Sequence, residues 1–336
     1  MPIAGQSLIP RLLSGFRSKI NTIKPFTNYP MRQRVTLPRN IFSPTLSKRL
    51  PVLAVLLSLC FVIPGTFADS IETKLPNGMT VTADYHIGRP SQAAVLLMHG
   101  FLQTHESKPM NALASNLFSK GYTTLSPTLS LGVNKRKQSM PCEAVHLHTI
   151  EEDVAEIDYW INWLLKKGHT HLALIGFSST GNIEILLYNL QSARPAIKKT
   201  ILVSLIPITF DVAERRKHYA TRNAQQTSDI KTPELFSLGY CKKNFAASKK
   251  TYLSYTQFDE KKILQLIANA SQPVDMIFGS ADTTLPENWL HEIKSLPSQA
   301  NIKIINNANH FFDALHEFEL ADSVEKLLKD IPVSKP

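Results

Sequence analysis

Apolar positions along the chain fall into short runs and helical stripes that alternate. Residues 70–75 and 79–86 read as two short strands around Pro76-Asn77-Gly78, a turn signal. Residues 93–98 (AAVLLM) are apolar with no polar alternation, the pattern of a parallel strand covered on both faces, and they end at His99-Gly100-Phe101. A helix is predicted over 108–119 with Gly121 as its stop, then a strand over 122–125. Thr149 and Glu152 form a capping-box signature. The helix they open carries Val154, Ile157, Ile161 and Leu164 on one apolar face and closes at Gly168. Further strands are predicted at 171–175, 199–205, 274–278 and 302–305, and helices at 182–190, 286–295 and 315–329, with Pro286 in a first turn. Strands alternating with helices predict an α/β fold: a doubly wound, mostly parallel sheet with helices on both faces. Residues 206–271 break this rhythm. They are polar and mostly helical in pattern, and read as an insertion.

Composition bounds the class. Of 336 residues, 43% are hydrophobic and 19% charged, which is ordinary for a globular chain. The formal net charge of +10 invites a nucleic-acid or membrane reading. Its distribution argues otherwise, because residues 1–68 hold nine basic and no acidic residues while the other 268 hold 28 basic and 27 acidic. No nucleic-acid partner is expected. Three cysteines exclude a disulfide-dense scaffold, and no zinc-type cysteine pair occurs.

The basic stretch leads into an apolar run at 52–67, preceded by Lys48-Arg49 and closed by Thr66-Phe67-Ala68. Small residues at Thr66 and Ala68 suit a signal-peptidase site. The run is short against the ~20 residues of a comfortable membrane span. The expectation is a leader over 1–68 cleaved after Ala68, giving an exported, periplasmic or secreted protein. The alternative is an anchor through residues 52–67, and membrane contact is expected only through such an uncleaved leader. Met31 is an alternative start, and the acid-free N-terminus also resembles an organelle transit peptide. Cys60 lies inside the apolar run after Leu59, which is too large for a lipoprotein site. In an oxidising compartment Cys142 and Cys241 either pair or stay as separate thiols.

Four segments carry candidate chemistry. The first runs from the 171–175 strand through Gly176-Phe177-Ser178-Ser179-Thr180-Gly181 into Asn182 and a helix. It resembles the nucleophile elbow of the α/β-hydrolase family, which sets a Ser on a sharp strand-to-helix turn with small neighbours. Gly176 stands two before Ser178. The family's second Gly falls at Thr180 here, with Gly181 one position later. Ser179 is the competing nucleophile, but it places bulky Phe177 two before it. The second segment is the 274–278 strand followed by Gly279-Ser280-Ala281-Asp282, which resembles the family's acid loop. Asp275, inside the strand, is the poorer candidate. The third is the 302–305 strand followed by Asn306-Asn307-Ala308-Asn309-His310, which resembles the family's histidine loop. The fourth is His99-Gly100-Phe101, which resembles the family's His-Gly pair beside the oxyanion hole.

This resemblance spans nearly all of residues 69–336. It implies an α/β-hydrolase domain whose insertion, 206–271, is a helical cap, and a triad of Ser178, Asp282 and His310. The Phe101 and Ser179 backbone N–H groups are then the oxyanion donors, supported by His99, Gly100, Gly176 and Gly181. The implied activity is a serine hydrolase acting on a carboxylic ester or a small-molecule or lipid-like acyl substrate, with peptidase or thioesterase chemistry on the same residues. The alternative is a non-catalytic ligand- or partner-binding module of the cell envelope.

No cofactor signature occurs. Cys142, His146 and His148 lie in one loop; His146 and His148 read as a substrate loop or loop packing ahead of a metal site. Lys135-Arg136-Lys137 reads as a solvated face, or as a contact to an anionic substrate or lipid headgroup. The eight aromatics of 206–271 either line an acyl pocket or form the insertion's own core.

Overall fold

The computed structural model describes residues 69–191, 194–224, 232–270, 272–297 and 300–332. The leader, its cleavage site, Met31 and the alternative anchor at 52–67 lie outside the described residues. Among the described residues no helix is long and apolar enough to cross a membrane.

Among the described residues, ten strands and eight helices follow in chain order: β1 Asp69–Lys74, β2 Thr80–His86, β3 Ala94–Leu97, α1 Met110–Ser119, β4 Thr123–Thr128, α2 Ile150–Lys166, β5 Leu172–Phe177, α3 Thr180–Gln191, β6 Ile197–Val203, α4 Val212–Ala224, β7 Glu234–Leu238, β8 Cys241–Ala247, α5 Lys249–Thr256, α6 Glu260–Ala268, β9 Val274–Gly279, α7 Trp289–Lys294, β10 Asn301–Ile305 and α8 His316–Lys329. Eight strands form one sheet in the order β1-β2-β4-β3-β5-β6-β9-β10. β1, β2 and β4 pair antiparallel; every pair from β4 to β10 is parallel.

The runs without polar alternation now have their reason. In β3, Val95 and Leu97 point into one core with Leu113 and Leu117 of α1 and Leu320 and Val324 of α8. Ala94 and Leu96, together with Met98 just past the strand, point into another with Val154, Ile157 and Ile161 of α2 and Ile183 and Leu186 of α3. Alternate residues serve opposite faces, and both faces are covered. The capping box forms as expected: Thr149 Oγ1 accepts from Glu152 N–H at 3.4 Å, and Glu152 Oε2 accepts from Thr149 N–H at 3.0 Å.

Two expectations need correction. The 206–271 segment is not only helical, because β7 and β8 form a separate antiparallel hairpin with Leu238 opposite Cys241. Gly239-Tyr240 is its two-residue turn, and Gly239 takes φ +58°, a conformation that glycine adopts without strain. The helix predicted from Pro286 begins only at Trp289, because Asn288 takes a left-handed φ of +65° and Trp289 N–H closes a turn on the Pro286 carbonyl. Cys142 and Cys241 are joined as a disulfide with Cα atoms 5.7 Å apart, which settles that open alternative. It ties the loop before α2 to the hairpin.

Most aromatics of 206–271 are core. Phe236 stacks on Tyr252 at 4.2 Å, and Phe245 and Tyr255 pack on Phe101. Tyr240 is the exception: it is 62% exposed at the hairpin turn, edge-on to Phe101 at 5.6 Å.

Candidate active site

Ser178 sits between β5 and α3, at the carboxyl end of the parallel strands. Its φ of +61° is left-handed, a strained state for a non-glycine residue that persists only when the surroundings impose it. They do so here through hydrogen bonds. Ser178 N–H donates to the Val203 carbonyl at 2.9 Å, and Asn182 Nδ2 donates to the carbonyls of Ser178 and Val203 at 2.6 and 2.8 Å. Close backbone approach does the rest. A Cβ on Gly176 would stand 2.5 Å from the Gly181 carbonyl oxygen, and one on Gly181 would stand 2.4 Å from the His99 carbonyl oxygen. Gly181 therefore serves the contact with the β3 end, and Thr180 fits where the family pattern has glycine.

His310 reaches the serine from the loop after β10. Its Nε2 is 2.9 Å from Ser178 Oγ, and its Nδ1 is 2.7 Å from Asp282 Oδ2 in the loop after β9. These two loops hold each other: Ser280 N–H donates to the Ile305 carbonyl, and Ala281 N–H to the Ala308 carbonyl, both at 2.9 Å. Ser204 Oγ fixes the His310 carbonyl from β6's end at 2.9 Å. Burial opposes ionisation of Asp282, but hydrogen bonds from His310 and Thr284 outweigh it and hold its pKa below the usual carboxylate value. Asp275 is elsewhere, paired with Lys199 Nζ at 3.1 Å and Asn301 Nδ2 at 3.0 Å.

The first strand's end supplies the other wall. A Cβ on Gly100 would lie 3.3 Å from Ser178 Cβ, so this backbone adjoins the nucleophile. Among the described residues no acceptor takes the N–H of Phe101 or of Ser179, although both residues are buried. Two backbone donors without acceptors beside a serine suit a developing oxyanion. His99 is buried, and Leu129 N–H and Arg136 Nη2 both face its Nε2, at 3.1 and 3.2 Å. The ring proton is therefore on Nδ1, which donates to the Gly100 carbonyl at 2.9 Å. Burial first, and then the Arg136 charge, lower the His99 pKa to about 3, so it stays neutral.

His146 and His148 are not on a substrate-facing loop. His146 is 0% exposed, stacks on Phe245 at 4.4 Å and contacts the Pro141 carbonyl with Nε2. His148 Nε2 bonds the Tyr255 hydroxyl at 2.7 Å, and burial lowers its pKa to about 3. Packing consumes both. Among the described residues no group of three His, Cys, Asp or Glu side chains is placed to hold a metal ion. Arg136 is also not a solvated residue; only its neighbours Lys135 and Lys137 are, both paired with Glu72.

The structure adds Thr284. Its hydroxyl donates to Asp282 Oδ1 at 2.6 Å and stands 2.9 Å from His310 Nδ1, and its N–H donates to the same Oδ1 at 2.9 Å. It is not singled out in the sequence, because nothing in the residue pattern marks a hydroxyl at that position.

No protein-family model matches the sequence, and no curated protein matches it. Solved structures do match. Est1E from Butyrivibrio proteoclasticus is 15% identical, covering 78% of this chain and 98% of its own, with a TM-score of 0.54. The α/β hydrolase GrgF from Penicillium sp. sh18 is 14% identical over 80% and 100%, with a TM-score of 0.58. The thioesterase domain from the curacin biosynthetic pathway is 14% identical over 78% and 99%, with a TM-score of 0.52. The chain has the α/β-hydrolase fold. At these identities the likeness is one of fold, and function has to be argued from the site.

Proposed function

We propose that this protein is a serine hydrolase that cleaves a carboxylic ester or related acyl compound through an acyl-enzyme. The observation that carries this reading is the continuous hydrogen-bonded chain Ser178–His310–Asp282, with the serine on strained left-handed backbone. His310 takes the Ser178 proton as the hydroxyl attacks the carbonyl carbon, then returns it to the leaving group. Asp282 holds the imidazole in the tautomer that leaves Nε2 free, and stabilises the imidazolium. The N–H groups of Phe101 and Ser179 receive the charge that develops on the carbonyl oxygen. One such donor contributes about 3 kcal/mol to the transition state. Water then attacks the acyl-enzyme with His310 again as base.

Segment 206–271 is read as a cap, because its hairpin turn lies on Phe101: a Cβ on Gly239 would meet the Phe101 ring at 3.0 Å. Tyr240 then stands at the entrance. Export is read from the leader, and the Cys142–Cys241 disulfide supports an oxidising compartment. Hydrolysis of a p-nitrophenyl ester series tests the activity. Ser178→Ala and His310→Ala are expected to lose about 10⁴-fold or more in kcat. Undiminished turnover in Ser178→Ala would overturn the reading.

A further inference from the structure

The guanidinium of Arg136 takes no part in the proton transfers above, yet it is placed as carefully as the triad. It comes from the loop between β4 and α2 and is only 4% exposed. Nε donates to the Leu129 carbonyl at 2.5 Å, Nη1 to the Gln138 carbonyl at 2.9 Å and Nη2 to the Gln103 carbonyl at 2.7 Å. Nη2 also faces His99 Nε2 at 3.2 Å. A planar fork with fixed donors can join these acceptors at once, and a lysine cannot. Burial lowers its pKa to about 10, while attraction from Glu156, Asp153 and Glu184 works against that, so the cation persists at neutral pH.

What the fork holds is the segment His99 to Gln103. Gln103 is gripped through its carbonyl. His99 is gripped through Nε2, which forces its proton onto Nδ1 and directs that proton to the Gly100 carbonyl. Gln103 N–H donates to the same carbonyl at 3.1 Å. The Gly100–Phe101 peptide is planar and trans, so its N–H points opposite to its C=O. Fixing the carbonyl toward His99 turns the Phe101 N–H away from the buried cluster.

We propose that Arg136 is a positioning residue for the oxyanion-binding peptide Gly100–Phe101, acting through His99 and the Gln103 carbonyl. This rests on the reading of Phe101 N–H as an oxyanion donor. The contribution belongs to the transition state, because only there does the substrate oxygen carry charge.

The test is Arg136→Lys, which keeps the charge facing Glu156, Asp153 and Glu184 but loses the fork, compared with His99→Phe and the double variant. Activity on a p-nitrophenyl ester is measured beside inhibition by a trifluoromethyl ketone, whose adduct with Ser178 carries an oxyanion. Arg136→Lys is expected to lose about 10- to 100-fold in kcat, with KM within about twofold, and to bind the ketone more weakly by the same factor. The double variant is expected to be no worse than the poorer single variant, as for residues that act in series. Wild-type kcat and ketone affinity in Arg136→Lys would overturn the proposal, and so would additive losses. A loss of thermal stability with unchanged kcat would reduce Arg136 to a packing role and also overturn it. If Arg136→Lys does not fold, His99→Phe alone decides, since an unchanged kcat there breaks the relay. A wild-type protein that neither turns over the ester nor binds the ketone would instead remove the hydrolase reading itself.

Discussion

Thr284 shows how much of the site's chemistry lies one atom beyond the triad. Its hydroxyl hydrogen goes to Asp282 Oδ1, and its oxygen faces the His310 Nδ1 that Asp282 Oδ2 also receives. The carboxylate is thus held at both oxygens, with its plane set relative to the imidazole. Thr284→Val keeps the backbone N–H bond to Oδ1 and the side-chain volume, but removes the hydroxyl. The expected outcome is a loss of about tenfold in kcat with KM unchanged, and recovery in Thr284→Ser. Steady-state kinetics of the two variants check this; equal kcat in Thr284→Val and wild type would contradict it. Ser178, Asp282 and His310 were singled out in the sequence by the resemblance of their three post-strand turns to those of the α/β-hydrolase family, and the structure brings the three side chains within hydrogen-bond reach. Thr284 and Arg136 were not marked in this way. A threonine after an acidic residue reads as a turn, and an arginine between two lysines reads as solvated. What buries Arg136 is a set of carbonyls, one of them from a distant loop, and no local pattern encodes them.

At the scale of elements, α2, α3 and α5 pack around an unusual amount of buried acid. Asp153 and Glu156 of α2 and Glu184 of α3 are all buried, and Glu184 Oε2 has no hydrogen-bond partner among the described residues. Burial first, then the charges of Asp153 and Glu156, raise the Glu184 pKa well above its ordinary value; Arg136 pulls the other way. Asp153 is raised likewise by burial, against the Tyr255 hydroxyl that donates to it at 2.6 Å. A group whose pKa is higher folded than unfolded binds more protons in the native state. Its stabilisation is complete below about pH 4.5 and is lost as pH rises through the folded value. Buried, neutral His99 and His148 contribute the opposite slope below pH 6.5, so it is above that pH that urea-unfolding free energies are expected to fall toward alkaline pH, by at most about 1.4 kcal/mol per pH unit for each proton involved. Glu184→Gln is expected to flatten that slope and to stabilise the protein at pH 8 but not at pH 4. Identical slopes would show that Glu184 ionises freely. The α2 stripe and its cap were readable because local periodicity decides them. The β7–β8 hairpin was not, since Phe236, Leu238 and Phe245 are buried by α4, α5 and Phe101 rather than by a sheet that the pattern could announce.

The fold of the described residues follows from a sheet covered on two faces and one edge that gathers the candidate site. β5, β6, β9 and β10 are parallel neighbours, so the loops after β5, β9 and β10 open on the same edge, and these are the loops that carry Ser178, Asp282 and His310. The disulfide fastens the hairpin to the loop before α2 across a sequence separation of 99, a cross-link of a kind that contributes about 2–4 kcal/mol. That architecture was legible from the alternation of strands and helices, whereas the disulfide was not, because spacing gives no distance. The central claim is that this edge activates one serine. Intact-mass measurement of the purified protein after reaction with a fluorophosphonate tests it most directly, beside Ser178→Ala and Ser179→Ala. The prediction is a single adduct on wild type and on Ser179→Ala, and none on Ser178→Ala. An unlabelled, folded wild-type protein, or an adduct that survives in Ser178→Ala, would contradict it.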